Sequence, residues 1–360
     1  MRIAIAQLNT RAGDFDPTAE RMEAFVQNAA DDHADLVVFP LTVLTGPTSV
    51  DYASHEGYRA DLLRVLESLN GRLACPCLVP VVTDMLGESV VEVMLLGKGG
   101  VTPLRTRSLL SQDQREHEQN DMGLLESELR ESAHAPLSLE FEDWHMVVAS
   151  NYDELNEVVD STEQYDVVLF VSSYGYALDD TSSALGASLQ ENRYKADAVS
   201  MDAWLVGVSG VGGYGLQVFT GSSFVLAPNG DLIASAPAFE EALVMADLTV
   251  RGGKGAAGLE AQGVEPELYN RSLHLWETLV LGLRDYLQKQ GHQEVALALD
   301  GGLASCLLGV LASDALGPTH VHALVDASRE SARVQTARKL AEDLRVDVHE
   351  LSDSFKAADD

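Results

Sequence analysis

Short apolar runs alternate with segments of helical period along most of the chain, which is the pattern of an α/β protein. Strands are predicted over Arg2 to Leu8, Leu36 to Phe39, Leu78 to Val82, Val90 to Leu96, His145 to Ser150, Val167 to Val171 and Leu205 to Val208. Two more, Ser222 to Leu226 and Leu232 to Ala236, are joined by the turn residues Pro228, Asn229 and Gly230, and Leu243 to Leu248 closes the set. Helices are predicted over Pro17 to Ala30, where Ala19, Met22, Phe25, Val26 and Ala29 line one face, and over Thr181 to Ser200, with Asp179 and Asp180 as caps.

The pattern breaks at Arg251, where RGGKGAAGLEAQG places five glycines in thirteen residues without an apolar period. Such a stretch reads as a linker. The expected organisation is therefore a domain over 1–250, a linker over 251–265 and a second domain over 266–360. In the second domain a long helix, Pro266 to Gln290, precedes strand Val295 to Leu299, helix Leu303 to Leu316, strand Val321 to Val325, helix Glu330 to Leu344 and strand Val346 to Leu351. Two βαβ units make a small parallel sheet, smaller than a doubly wound nucleotide domain normally has.

Composition narrows the function classes. The net charge of −32, from 24 basic and 56 acidic residues, argues against nucleic-acid or anionic-membrane binding, because no basic stripe exists to neutralise phosphates. The acidity fits a solvated surface, a high-salt habitat or attraction to a basic partner. No stretch approaches the ~18 apolar residues of a membrane span, and the chain opens on a strand, so a cytoplasmic protein is expected. Cys75, Cys77 and Cys306 have no framework or metal spacing, which fits a reducing compartment and core packing.

Four segments carry a family resemblance. LVVFPLTVLTG, from Leu36 to Gly46, resembles a nitrilase-superfamily signature, and HMVVASNYDELNEV, from His145 to Val158, is similar to that superfamily's nucleophile strand. Phe219 to Leu248 resembles the end of the glutaminase domain in glutamine-dependent NAD synthetases, and Leu279 to Gly302 the junction into their synthetase domain. The resemblance implies a four-layer αββα nitrilase sandwich followed by a small parallel α/β remnant, shorter than the family's synthetase domain.

The family's glutaminase uses a cysteine nucleophile, a glutamate base and a lysine that stabilises the oxyanion. A thiol gives accessible thiolate, a carboxylate takes a proton, and a cation sits where negative charge develops. Matched to this sequence, the base position is Leu41, the lysine position Thr106 and the nucleophile position Ser150. Arg105 or Arg107 supplies charge if the register slips, and Glu116 falls where the family has a second active-site glutamate, in an acidic run with His117 and Glu118. Ser150 reads either as a serine nucleophile, which needs an adjacent base, or as an isosteric filler. His145 is five residues away on the same strand and points to the opposite face.

The segment LALDGGLAS, from Leu297 to Ser305, resembles an SGGxDS pyrophosphate loop with Asp300 at the first serine and Ala304 at the aspartate. Gly301 and Gly302 keep the turn and Ser305 starts the helix, but a carboxylate at an anion site repels the ligand, so ATP and magnesium binding are expected to be weak or lost. The glycine run Gly210 to Gly215 reads as a turn and His320 with His322 as packing, so no metal and no working cofactor are expected.

Taken together, these substitutions lead to the expectation of a noncatalytic pseudoenzyme. It would be a homo-oligomer through the nitrilase-like domain that scaffolds or regulates a partner such as an active paralogue. Residual amidase or NAD synthetase activity, and a glutamine or nucleotide sensor, are the alternatives.

Overall fold

Strand β1 (Arg2–Gln7) is apolar on both faces and has to be covered on both. Ile3 and Ile5 enter one buried cluster, while Ala4 and Ala6 enter another beneath helix α1 (Phe15–Asp31). A computed structural model describes residues 1–41, 43–46, 55–85, 87–109, 133–172, 174–178, 185–249, 269–328 and 330–351. After α1 come β2 (Leu36–Val38), α2 (Glu56–Asn70), β3 (Cys77–Met85), β4 (Glu88–Gly97) and β5 (Gly100–Pro103). Leu62, Val65, Leu66 and Leu69 form the buried stripe of α2, which packs against the same face as α1.

A second series follows: β6 (Leu137–Phe141), β7 (Trp144–Ala149), α3 (Tyr152–Asp160), β8 (Val167–Val171), α4 (Leu185–Gln190), α5 (Arg193–Met201) and β9 (Trp204–Val208). The hairpin β10 (Val211–Tyr214) and β11 (Gln217–Thr220) precedes β12 (Phe224–Leu226) and β13 (Leu232–Ser235). Finally β14 (Ala242–Asp247) returns to pair antiparallel with β1. The two main sheets run β14-β1-β2-β3-β4-β5 and β13-β12-β9-β8-β7-β6, each with a parallel centre and antiparallel flanks.

One apolar cluster joins inward residues of both sheets, among them Ile5, Val38, Val148 and Val206. Two others join the outer faces to helices, with α1 and α2 on the first sheet and α3, α4 and α5 on the second. The result is the αββα sandwich. Fully buried Gln7 bridges the sheets: its Oε1 accepts from the Ser223 amide and hydroxyl at 3.0 and 2.9 Å, and its Nε2 donates to the Pro237 and Glu240 carbonyls at 2.9 and 2.7 Å. A side-chain amide can be buried in this way because its donors and acceptor all find partners.

The chain divides into two units, Met1–Gly212 with Phe219–Tyr269, and Gly213–Val218 with Asn270–Asp360. In the second, α6 (Arg271–Gln288) is capped by Asn270, whose side chain accepts from the Leu273 amide. It leads into β15 (Val295–Ala298), α7 (Leu303–Leu316), β16 (Val321–Asp326), α8 (Ala332–Leu344) and β17 (Asp347–Leu351). The three strands are parallel, in the order β15-β16-β17, and one face packs on α7 and α8.

Three sequence expectations change. The helix predicted over Thr181 to Ser200 is two helices, because Asn192 takes a left-handed φ of 59° between them, a conformation that asparagine tolerates. The glycine run is strand β10 followed by its turn, and β5, β6, β11, α2 and α3 are additional to the expected elements. The linker 251–265 and residues 179–184 lie outside the described residues. Among the described residues no helix is long and apolar enough to cross a membrane.

Candidate functional site

Ser150 stands where buried strand β7 gives way to α3, and the local sequence S-N-x-x-E dictates what surrounds it. Asn151 is the N-cap of α3 and accepts from the Glu154 amide at 2.9 Å, while the Glu154 side chain folds back past the cap to Ser150, the residue before it. Its carboxylate accepts from the Ser150 amide at 2.6 Å, from the Ser150 hydroxyl at 3.0 Å and from Asn151 Nδ2 at 2.8 Å. Ser150 and Glu154 are both buried, each 4% exposed. The cap thus places a carboxylate directly on the candidate nucleophile. Burial pushes the Glu154 carboxyl above its usual value, against the opposite pull of the Ser150 amide and the Arg105 charge.

A second buried carboxylate positions that cation. Glu92, on β4, accepts from the amides of Arg105 and Thr106 at 2.7 and 2.9 Å and from the Thr106 hydroxyl at 2.6 Å. Residues 104–109 are helical, so Glu92 sits at the amide end of that turn, where negative charge is favoured. The Arg105 guanidinium donates to the carbonyls of Val91 and Ala135 at 2.8 and 2.7 Å. Burial lowers its proton affinity, and Glu154 and Glu92 raise it. Thr106 therefore holds Glu92, and Arg105, its neighbour, brings positive charge to bear on Glu154. Arg107 is exposed. Leu41 belongs to the inter-sheet cluster with Val38 and Val148, an apolar role.

In the second unit the loop after β15 is occupied by its own carboxylate. Asp300 Oδ1 accepts from the Gly302 amide at 2.8 Å and from the Ser305 hydroxyl, and Arg333 lies 3.9 Å from Oδ2. The Ser305 hydroxyl, then the Gly302 amide, hold the Asp300 carboxyl below its ordinary value. Gly302 is the N-cap of α7, so the carboxylate takes the place an anion would take. Gly301 has φ of 73°, and a Cβ there would stand 2.0 Å from the Arg333 carbonyl oxygen, so the turn demands glycine. Ala304, in the first turn of α7, is exposed.

The remaining candidates are dispersed. Glu116, His117 and Glu118 lie outside the described residues. His145 pairs with Glu140 and Glu163 at 3.8 and 3.5 Å. His320 is in a short 3-10 turn and His322 on β16, so the two do not lie on one strand. A cavity of about 410 Å³ lined by Gln288, His292, Leu316 and His320 opens at the amino ends of β15 and β16. Open α/β sheets bind ligands at the carboxyl ends, where the Asp300 loop lies. Sequence reading missed Glu154 and Glu92; the N-x-x-E spacing signalled the first, while the second depends on strand β4 meeting the turn at 104–109.

Comparison with known proteins then gives the kinship. Residues 2–77 and 166–254 match the carbon-nitrogen hydrolase family, and residues 275–359 match the NAD synthase family. The chain is 30% identical over 340 residues to the glutamine-dependent NAD(+) synthetase of Rhodobacter capsulatus, covering 92% of this chain and 58% of that relative. It thus spans less than two thirds of the relative's length. A structure of glutamine-dependent NAD+ synthetase from Acinetobacter baumannii in complex with adenosine diphosphate superposes with a TM-score of 0.73 at 21% identity, over 99% of this chain and 66% of that one. A structure of a nitrilase-superfamily amidase from Nesterenkonia AN1 gives 0.51 at 16% identity, over 69% and 90% of the two chains. At these identities the two structures speak to the fold alone.

These findings correct the expectation of a noncatalytic scaffold. Both enzyme families match in order along the chain, and the relatives that share it are named as synthetases. The family's base position holds Leu41, whereas a carboxylate hydrogen-bonds the candidate nucleophile from position 154.

Proposed function

Because the chain belongs to the glutamine-dependent NAD synthetase family, we propose that it hydrolyses a primary carboxamide of the glutamine type at Ser150 and supplies the nitrogen to ATP-dependent amide synthesis in an NAD synthetase reaction. The family is one of enzymes of carbon-nitrogen chemistry. The observation that carries the reading is the hydrogen bond from the Ser150 hydroxyl to the buried Glu154 carboxylate.

A serine hydroxyl is a weak nucleophile until a neighbouring base takes its proton. In the proposed reaction Ser150 Oγ attacks the carboxamide carbon as Glu154 accepts the hydroxyl proton. Collapse of the tetrahedral adduct breaks the carbon-nitrogen bond, and Glu154 returns that proton to the departing nitrogen, releasing ammonia. Water, deprotonated by Glu154, then cleaves the Ser150 ester to a carboxylate and restores the hydroxyl. The Arg105 charge favours the ionised form of Glu154 and the negative charge that builds up during attack.

In the synthetase half, the reading assigns nucleotide phosphates to the loop from Gly301 to Ser305, with the Asp300 carboxylate displaced. The activity is placed in the cytoplasm, in keeping with three free cysteines, on a homo-oligomer assembled through the sandwich. The test is incubation of the chain with glutamine and measurement of both products. Ammonia and glutamate in equal amounts are expected; neither product above a protein-free control overturns the reading.

A further inference from the structure

The small parallel sheet of the second unit has two unlike faces. Leu297, Val321, Ala323 and Val325 point into the apolar cluster with Ala312 of α7 and Ala337 of α8. Alternation puts a different set on the other face: Glu294 just before β15, His322 on β16, and Asp347 with His349 on β17. The register aligns them, since Ala296 pairs with His322, His322 with Asp347, and Leu324 with His349. Three strands therefore deliver two imidazoles and two carboxylates to one patch.

The atoms converge. His322 Nδ1 stands 3.3 Å from His349 Nε2 and 3.9 Å from Asp347 Oδ2, and one ligand atom from each residue lies within 4.8 Å of the others. His322 Nε2, on the far side of the ring, is 3.5 Å from Glu294 Oε2. We propose that His322, Asp347 and His349 bind one divalent transition-metal ion of the zinc class, with Glu294 orienting the His322 ring from behind.

Two imidazoles and a carboxylate form a donor set suited to zinc, nickel and copper rather than magnesium or calcium, which favour all-oxygen sites. In a tetrahedral site with metal-nitrogen bonds of about 2.0–2.1 Å, two ligand atoms stand about 3.3 Å apart. The two imidazole nitrogens already have that separation. Asp347 is 78% exposed and turns toward the ion without repacking anything. A proton on His322 Nε2 directed at Glu294 leaves the Nδ1 lone pair free for the metal, the usual carboxylate-histidine-metal relay. The net charge of −32 adds a field that draws cations to the surface. Three protein ligands leave a fourth position for water, so the site exchanges its metal.

The test uses the untagged full chain, stripped with a chelator and titrated with zinc by calorimetry and with cobalt(II) by visible absorption. The comparison is the His322→Ala, His349→Ala double variant, whose circular dichroism checks the fold. The wild-type chain is expected to take one more zinc than the double variant, with a tetrahedral cobalt spectrum that the variant lacks. Binding weakens about 10-fold or more in Glu294→Gln. Equal zinc stoichiometry in the wild type and the double variant, with no difference in cobalt spectrum, overturns the site. Unchanged affinity in Glu294→Gln overturns the role of that carboxylate.

Discussion

Replacing Glu154 with Gln removes the proposed base while keeping its shape, and the structure sets the size of each consequence. Glu154 accepts from the Ser150 amide, the Ser150 hydroxyl and Asn151 Nδ2. An amide at 154 retains one oxygen for the Ser150 amide, while its NH2 faces the Asn151 NH2 and leaves one donor unsatisfied. That costs about 1–3 kcal/mol, partly offset because a buried carboxylate no longer has to ionise. The chemical step loses general-base assistance, about 10²–10⁴-fold in kcat/KM, or roughly 2.7–5.4 kcal/mol of barrier.

The pH dependence separates the two effects. The folded carboxyl lies above its ordinary 4.5. Its protonation therefore stabilises the fold fully below the ordinary value, and that contribution is lost as pH rises through the folded value. Activity runs the other way, since the base must be ionised. Urea melts of both proteins should show wild type gaining relative to Glu154→Gln toward acid pH. Ammonia-release rates for wild type should show an acid limb above the ordinary glutamate value, and the variant should lack it. A variant that keeps kcat/KM within about threefold of wild type refutes the assignment of Glu154 as base.

Leu41→Ala empties part of the inter-sheet cluster, where Leu41 is 1% exposed, and should cost about 2–5 kcal/mol by urea denaturation, whereas a loss below about 1 kcal/mol would show that the position is not core. Asp300→Ser removes the carboxylate that fills the loop and frees Arg333; pyrophosphate binding by calorimetry should tighten about fivefold or more, and no gain would show that Asp300 does not block the site. Burial lowers His274 to about 4 from 6.5, so its neutral form contributes stability that is full above 6.5 and lost as pH falls through about 4. The acid slope of stability between those values should flatten in His274→Gln, and an unchanged slope would assign acid sensitivity elsewhere.

Much of the sandwich is legible because its strands carry unmistakable periods. Ile3 and Ile5 against Ala4 and Ala6 announce a strand covered on both faces, and the stripe Ala19, Met22, Val26 and Ala29 is buried in α1 as the period requires. Even β6, buried at Leu137, Leu139 and Phe141 and exposed between them, was readable in principle. The break at Asn192 was not, since no proline or glycine marks it. For the site, motif matching names Leu41, Thr106 and Ser150, but motifs locate positions and not substitutes for them. Glu154 lies four residues from Ser150, close enough in sequence to have been weighed as a base. Glu92 meets Arg105 and Thr106, and His322 meets Asp347, through strand register that no local pattern encodes.

In the proposed reaction Ser150, with Glu154 as its base, is a working nucleophile. Initial rates of ammonia release from glutamine by the wild-type chain and by Ser150→Ala, at equal concentration and with matched melting curves, test it most directly. Measurable release by the wild type and none above background from Ser150→Ala is expected. Equal release by both proteins, or none by the wild type, contradicts it.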